Sequence, residues 1–474
     1  MNRRRFLKTA GAAMVLPLIF PGCATGPTRR TRPSNRITMG AIGWGLMGPY
    51  DTKTFLYNDD CQVVAACDLD KNHLQEAVDT INEHYGNKDC KAYADYRELL
   101  ARDDIDAVML ALPDHWHGLV ATEAARRGKD IYGEKPLART IAEQQAIVRT
   151  VKKHRVIWQT GSWQRSEATF RKAAEIVRNG LIGHVTRVEV GLPAGYRDFA
   201  GTAPDLLKKL GQPPEALEYL TTVVPGTAAW DAAVSEPPAG LDFNTWIGPS
   251  QMEPYIKARV HMNWRWNYNT GGGQLLDWIG HHGDIAHWGL GFDRTGPSEI
   301  EGHGDFPPVN AIWNTSPRYR IEARYEKAVT GYPADVTMII AGGHADIRSG
   351  TKWIGTEGWV WVDRRDSDPT TPSGFDSSNP AWKKGGDLAD DLRKVKLYVS
   401  RNHWRNFLDC VKSRRPTITP VETAHHSAIP GHLGLISMLV GRKLRWDVKH
   451  EKLLNDEAAS ELLSRPYRAP WHLG

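Results

Sequence analysis

The 474-residue sequence predicts an α/β protein: an N-terminal Rossmann doubly wound sheet, then an α/β domain with a large open mixed or antiparallel sheet. Three observations carry this. Apolar strand-like runs alternate with amphipathic stretches from 37 to 160. A glycine-rich turn, Gly43-Trp44-Gly45-Leu46-Met47-Gly48, closes the first of those runs. Beyond about 161 the alternation gives way to strand patterns spaced further apart.

Ahead of the fold, Arg3-Arg4-Arg5-Phe6-Leu7-Lys8 precedes an apolar run from Ala10 to Phe20. A basic stretch followed by a short apolar run reads as a secretory signal, too short to span a bilayer. Adjacent arginines followed by Phe-Leu-Lys resemble a twin-arginine signal, which predicts export of the folded protein to the periplasm. Cys23 after Gly22 offers a lipid-attachment site, with simple cleavage as the alternative because Phe20-Pro21 stands where leucine and a small residue are usual. Residues 25–36 read as a tether. The expected division is 1–36 signal and tether, 37–160 Rossmann domain, and 161–474 substrate and oligomerisation domain.

Charge excludes one class of partner. The net charge is +5, but residues 1–36 hold eight basic residues and no acid, which leaves −3 for the remainder. A nucleic-acid partner requires a basic footprint on the folded part, and there is none. Cys61, Cys67, Cys90 and Cys410 have no metal-binding spacing and read as buried small hydrophobes.

Ile37–Ile42, Val63–Cys67, Ala107–Leu112, Ile131–Gly133 and Val156–Gln159 read as strands. Asn72–His84, Leu119–Arg127 and Ile141–His154 read as the intervening helices. A helix over Arg171–Asn179 ends at Gly180, and a strand follows at Val185–Val190. Residues 193–255 are rich in Pro, Gly and Ala and read as a long irregular excursion. Further strands are expected at Arg318–Tyr325, Asp335–Ala341 and Trp359–Val362, a surface loop at 363–390, and helices at Asn402–Lys412 and Ala424–Val440.

The glycine turn permits close backbone approach to a pyrophosphate at a helix N-terminus. Asp68, 25 positions after Gly43, ends the next strand. A carboxylate there accepts from ribose hydroxyls, which favours NAD, while nearby Lys71 leaves NADP open. Lys135, in Gly133-Glu134-Lys135-Pro136, falls beyond a strand's carboxyl end, where ligands bind in such sheets. Asp277 and His281 are four apart, one helical face if the segment is a helix, a spacing suited to proton transfer. A buried, hydrogen-bonded His–Asp pair is the competing reading. Asp284 and His287 continue that face, but nothing matches a metal motif, so no metal is expected. Asn263-Trp264-Arg265-Trp266-Asn267-Tyr268 leads into this segment; Trp264 and Arg265 are candidate sugar contacts, with His282, Trp163 and Arg165 beside them.

The set G-x-G-x-x-G, Glu134-Lys135-Pro136 and Asp277…His281 resembles the Gfo/Idh/MocA family of sugar and polyol oxidoreductases, over nearly all of residues 37–470. The runs His403–Lys412, Pro420–Thr423 and Leu463–Trp471 resemble its exported bacterial branch, with a C-terminal extension. The resemblance implies that Lys135, Asp277 and His281 are the catalytic lysine, aspartate and histidine. It implies that Glu134 and the loop carrying Pro113, His115 and His117 lie along the cofactor, and that the open second sheet pairs copies of the chain. Residues 193–240 are longer than in simple members.

The expected chemistry is hydride transfer from a sugar or polyol hydroxyl. His281 takes the proton, Asp277 orients the imidazole, and Lys135 steadies the alkoxide; Lys135 as base is the alternative. Export implies a captive cofactor that returns to its starting state each cycle. Two chemistries fit: paired oxidation and reduction, or transient oxidation with elimination, as in NAD-dependent glycosidases and epimerases. A non-catalytic binding module is a third reading, disfavoured because all three residues are present.

Overall fold

Six strands pair as one parallel sheet in the computed structural model, which describes residues 36–364, 374–384 and 386–473. The twin-arginine and Cys23 expectations lie outside those residues. The strands are β1 (Ile37–Ile42), β2 (Cys61–Cys67), β3 (Lys91–Tyr93), β4 (Ala107–Leu110), β5 (Asp130–Gly133) and β6 (Trp158–Thr160). Their spatial order is β3-β2-β1-β4-β5-β6, every neighbour parallel. The order reverses between β1 and β4, and that reversal opens a crevice at the strands' carboxyl ends. Strand β3 is short and mostly exposed, so its apolar signal in the sequence is weak.

These elements form for local reasons. β4 and β5 are buried throughout, as strands covered on both faces must be. The helix Ile141–His154 starts with a capping box: the Thr140 hydroxyl accepts from the Glu143 N–H, and the Glu143 carboxylate accepts from the Thr140 N–H. The helix Lys71–Tyr85 is capped by Asp70 and stops at Gly86, which has φ of 63°.

The second sheet has nine strands: β7 (Val185–Leu192), β8 (Glu299–Asp305), β9 (Arg318–Tyr325), β10 (Val336–Gly342), β11 (Gly350–Gly355), β12 (Trp359–Val362), β13 (Phe375–Ser377), β14 (Leu444–Asp447) and β15 (Lys452–Leu453). Their order is β13-β12-β11-β7-β10-β9-β8-β14-β15. Only the β7–β10 pair is parallel, so the sheet is mixed. Its core packs Val188, Ile321, Met338 and Trp353 against the helices Ala168–Arg178, Asp284–Leu290 and Val421–Val440.

Three sequence readings change. The excursion at 193–255 holds short helices, Pro204–Lys209, Ala228–Ala233 and Phe243–Ile247, and Leu207, Leu220 and Val223 build a small core with Trp266 and Trp313. The stretch read as a surface loop at 363–390 contains strand β13. The chain also returns to the first sheet after 400. The helix His403–Ser413 buries Phe407 and Leu408 with Phe55 and Tyr132, and Trp404 Nε1 donates to Asp51 Oδ1 at 2.9 Å. A cut at 160 therefore separates the Rossmann sheet from a helix that covers it.

Candidate active site

The crevice is a cleft of about 380 Å³, floored by the glycine turn. The three glycines of that turn differ in what they require. Gly43 has φ of 95°, and a Cβ there would meet Ala111 O at 2.2 Å, so only glycine closes the turn. A Cβ on Gly48 would likewise meet Gly43 O, at 2.1 Å. At Gly45 a Cβ would meet no atom within 4 Å, because that position faces the open cleft. Trp44, Leu46 and Met47 line the same wall, with the Trp44 ring buried beneath the turn.

Asp68 stands at the end of β2 with its carboxylate fixed by backbone donors. Oδ2 accepts from Trp44 N–H at 2.7 Å and Oδ1 from Asp70 N–H at 2.9 Å. Burial raises its pKa despite these donors. Both oxygens keep lone pairs free for a ribose hydroxyl. An open cradle above a helix N-terminus beside a pinned carboxylate fits a dinucleotide.

Of the loop after β4, Pro113 and Trp116 line the cleft, and His115 and His117 do not. The His115 ring nitrogens lie 3.2 Å and 2.9 Å from the carbonyl oxygens of Thr270 and Trp246. Those of His117 lie 2.7 Å and 2.9 Å from the carbonyl oxygens of Pro136 and Leu112. Both rings are spent on tying backbone segments together, and burial pushes His115 down to about 3. Assigning them to the cofactor is corrected: these residues begin the helix Asp114–Arg126, whose successive side chains point in different directions.

The far end of the cleft is charged. Lys135 Nζ donates to Asp277 Oδ1 at 2.7 Å, and Arg265 Nε lies 3.6 Å from the same oxygen. Burial works to raise the Asp277 pKa, but Lys135 and Arg265 outweigh it and hold the carboxyl below its ordinary value. The Arg265 guanidinium sits 4.2 Å over the Trp264 ring, and both residues line the cleft. Glu134 is buried beside them with its pKa raised to about 7, chiefly by burial. Burial and the neighbouring Glu134 raise the buried Asp51 likewise. Asp114, also buried, is raised to about 7 by burial against the pull of Arg265.

The expected Asp277–His281 pair does not form. The helix Gly273–Trp278 passes into a π-turn at Ile279–Gly283, which adds a residue to the turn and swings the four-residue spacing off one face. Asp277 points to Lys135 instead. His281 is buried, and its Nδ1 has no hydrogen-bond partner among the described residues. Burial first, then Arg364 and Lys135, push its pKa well below the ordinary value, so the ring is neutral. Its neighbours are Trp278 at 5.3 Å and Trp163 at 6.4 Å between ring centroids. The Arg364 guanidinium lies 4.4 Å over Trp163 and 4.6 Å over Trp278.

Two substrate candidates are corrected. Arg165 is fully committed inside the protein: it bonds Asp284 at 2.7 Å and 2.9 Å and Asp293 at 2.7 Å, with its side chain 2% exposed. His282 is buried with Nε2 3.2 Å from Asp363 Oδ1. Asp284 and His287 also leave the expected face, His287 to bond Phe292 O at 3.1 Å and Tyr325 Oη at 2.8 Å. Sequence reasoning missed Trp278 and Arg364. Trp278 lies inside the Asp277 motif, whereas Arg364 follows β12 and nothing around it in the sequence marks it.

A doubly wound sheet with this glycine turn, a ribose-side carboxylate and a lysine–carboxylate pair across the crevice defines a nicotinamide-dinucleotide oxidoreductase framework. Residues 37–162 match the NAD-binding Rossmann fold of the Gfo/Idh/MocA oxidoreductase family, and residues 227–473 match its C-terminal alpha/beta domain. The chain belongs to that family. It is 31% identical over 209 residues to a glycosyl hydrolase family 109 protein of Shewanella pealeana, covering 40% of this chain and 45% of the relative. It is 30% identical over 158 residues to myo-inositol 2-dehydrogenase of Thermotoga maritima, covering 33% and 46%. The aligned stretches thus span less than half the length of these relatives. Among solved structures, the WlbA dehydrogenase of Chromobacterium violaceum, in complex with NADH and UDP-GlcNAcA, superposes with a TM-score of 0.58 at 14% identity, over 88% of this chain and 97% of that one. Myo-inositol 2-dehydrogenase of Lactobacillus plantarum gives 0.52 at 16% identity, over 86% and 99%. At these identities the likeness is one of fold.

Proposed function

We propose that the protein oxidises a hydroxyl of a sugar or polyol with NAD that stays bound, and that it does so outside the cytoplasm. The observation that carries the chemistry is the 2.7 Å contact between Lys135 Nζ and Asp277 Oδ1, at the end of the cofactor cleft beside a neutral His281. When bound, the nicotinamide supplies the hydride acceptor. Lys135 donates to the substrate oxygen and steadies it as its proton leaves. Asp277 acts on Lys135, not on the imidazole: it holds the ammonium in place. His281 carries a lone pair free to receive the hydroxyl proton, because burial keeps the ring neutral. Trp264 and Arg265 in the cleft wall, and Trp163, Trp278 and Arg364 around His281, supply flat faces and donors suited to a polyhydroxylated ring.

A second reading is glycoside cleavage or epimerisation. The match to a glycosyl hydrolase family 109 protein favours it. So does the presence of two proton-handling groups close enough for charge to act between them: Lys135, which lines the cleft, and His281, buried behind it. Oxidation of a ring hydroxyl makes the neighbouring C–H acidic, which allows a glycosidic substituent to leave. One experiment separates the readings. Protein loaded with NAD is mixed with a panel of free sugars, polyols and aryl glycosides, and both bound NADH and released aglycone are followed. Accumulating NADH supports net oxidation; aglycone without net NADH supports cleavage; neither, across the panel, contradicts both.

A further inference from the structure

The order of the sheet sets the two ends of the cleft. Lys135 follows β5, Asp68 follows β2, and Asp95, Tyr96 and Arg97 follow β3, the outermost strand. A dinucleotide lying across the switch point puts its adenosine on the β2–β3 side, where the ribose carboxylate is. One wall of that end comes from the far end of the chain: Trp471 lines the cleft. Its ring meets Trp116 edge-on, with centroids 4.8 Å apart at 82°, and the Arg97 guanidinium lies 5.5 Å from it.

The segment that carries Trp471 is fastened along its length. Leu463 O accepts from Ala142 N–H at 2.9 Å. Arg465 donates to Glu143 Oε1 at 2.9 Å, Ser250 Oγ at 2.9 Å and His115 O at 2.7 Å. Tyr467 Oη donates to Glu143 Oε1 at 2.6 Å. Arg468 donates to Gly248 O at 3.0 Å and to Asn244 Oδ1 and O at 2.7 Å and 2.6 Å. The anchors therefore lie on two sides. Ala142, Glu143 and His115 belong to the Rossmann domain, and Asn244, Gly248 and Ser250 to the excursion of the second domain. The excursion reaches the ribose side of the cleft as well, where Lys71 N–H donates to Gly240 O at 2.9 Å.

We infer that residues 463–473 are a strap across the adenosine end of the cleft, with Trp471 the aromatic face for the adenine ring, and that the strap retains the nucleotide. The inference rests on the dinucleotide site of the Rossmann domain and deepens the captive-cofactor reading. An aromatic contact alone would add modest affinity. A wall held by several hydrogen bonds adds a barrier instead, because the nucleotide leaves only when the strap lifts, and that effect appears in the dissociation rate. Arg468 is the discriminating residue: it does not line the cleft, and its side chain fastens the strap to Asn244 and Gly248 of the excursion.

The test uses the full chain loaded with NAD and measures NAD dissociation by displacement with etheno-NAD, whose fluorescence reports exchange. Trp471→Ala and Arg468→Ala are both expected to speed dissociation about tenfold or more. Trp471→Phe is expected to restore most of the wild-type rate. Circular dichroism and melting confirm that each variant is folded; if an alanine variant does not fold, Trp471→Phe and Arg468→Lys carry the comparison at smaller amplitude. Unchanged dissociation in folded variants overturns the strap. Faster release from Trp471→Ala with none from Arg468→Ala also overturns it, leaving Trp471 as a simple contact. A wild type that loses NAD during gel filtration, with variants losing it faster still, overturns captivity and supports the strap.

Discussion

The two ends of the cleft are built on different principles. At the glycine-turn end the work is done by backbone: Gly43 and Gly48 leave no room for a side chain, Gly45 opens to the cleft, and Asp68 is pinned by two N–H groups. All of this comes from one contiguous strand–turn–helix–strand. At the other end the work is done by side chains brought from separate parts of the chain, Lys135 beyond β5, Arg265 and Asp277 on either side of Tyr268, and Arg364 beyond β12, and their charges set one another's state. A backbone site tolerates substitutions that spare its shape, whereas a side-chain site fails when one member is lost. The contrast predicts separate losses of binding and of turnover.

The largest effect is expected from Lys135→Ala. Turnover should fall by about 10³-fold, within the range for removing a proton-handling group, while NAD content per chain stays at the wild-type level. Loss of both together would mean that the two ends are not independent. Arg165→Ala sharpens the contrast from the structural side. Stripping the partner from buried Asp284 and half-buried Asp293 should cost about 3–5 kcal/mol of stability, read as a fall in the denaturation midpoint. A raised KM with unchanged melting would restore Arg165 as a substrate contact.

Asp68→Ala should weaken NAD binding by about 1.5–3 kcal/mol, the worth of hydrogen bonds to a charged group, and narrow the preference over NADP. Calorimetric titration with both nucleotides reads this, and an unchanged ratio would remove Asp68 from ribose recognition. The smallest effect concerns pH. Burial, Arg364 and Lys135 all disfavour the imidazolium of His281, so proton acceptance by this ring is lost only well below pH 6.5. Arg364→Gln removes one of those causes, so the acid limb of turnover should move upward by less than about one pH unit. A limb that does not move would separate Arg364 from His281.

Legibility followed the same divide. The parallel sheet, the glycine turn and the positions of Asp68 and Lys135 beyond the ends of β2 and β5 are readable because apolar runs and turn residues are local signals. The pairing of Asp277 is not, because a π-turn changes the helical spacing that the prediction relied on. His115, His117, Arg165 and His282 have the right chemistry in the right motifs, but backbone carbonyls hold His115 and His117, Asp284 holds Arg165, and His282 is buried against Asp363. Arg364 and Trp471 reach the site only through tertiary packing, from a loop and from the final segment of the chain. Composition and spacing carry no trace of such arrivals.

In the proposed function Lys135, positioned by Asp277, handles the substrate oxygen while NAD is held by a separate end of the cleft. Single-turnover mixing tests it most directly. Wild type and Lys135→Ala, each loaded with NAD, are mixed with the best sugar or polyol of the panel, and the absorbance of bound NADH is followed. A rapid rise is expected in the wild type and essentially none in the variant, with equal NAD released from both on denaturation. A variant that reduces its NAD at the wild-type rate would contradict it.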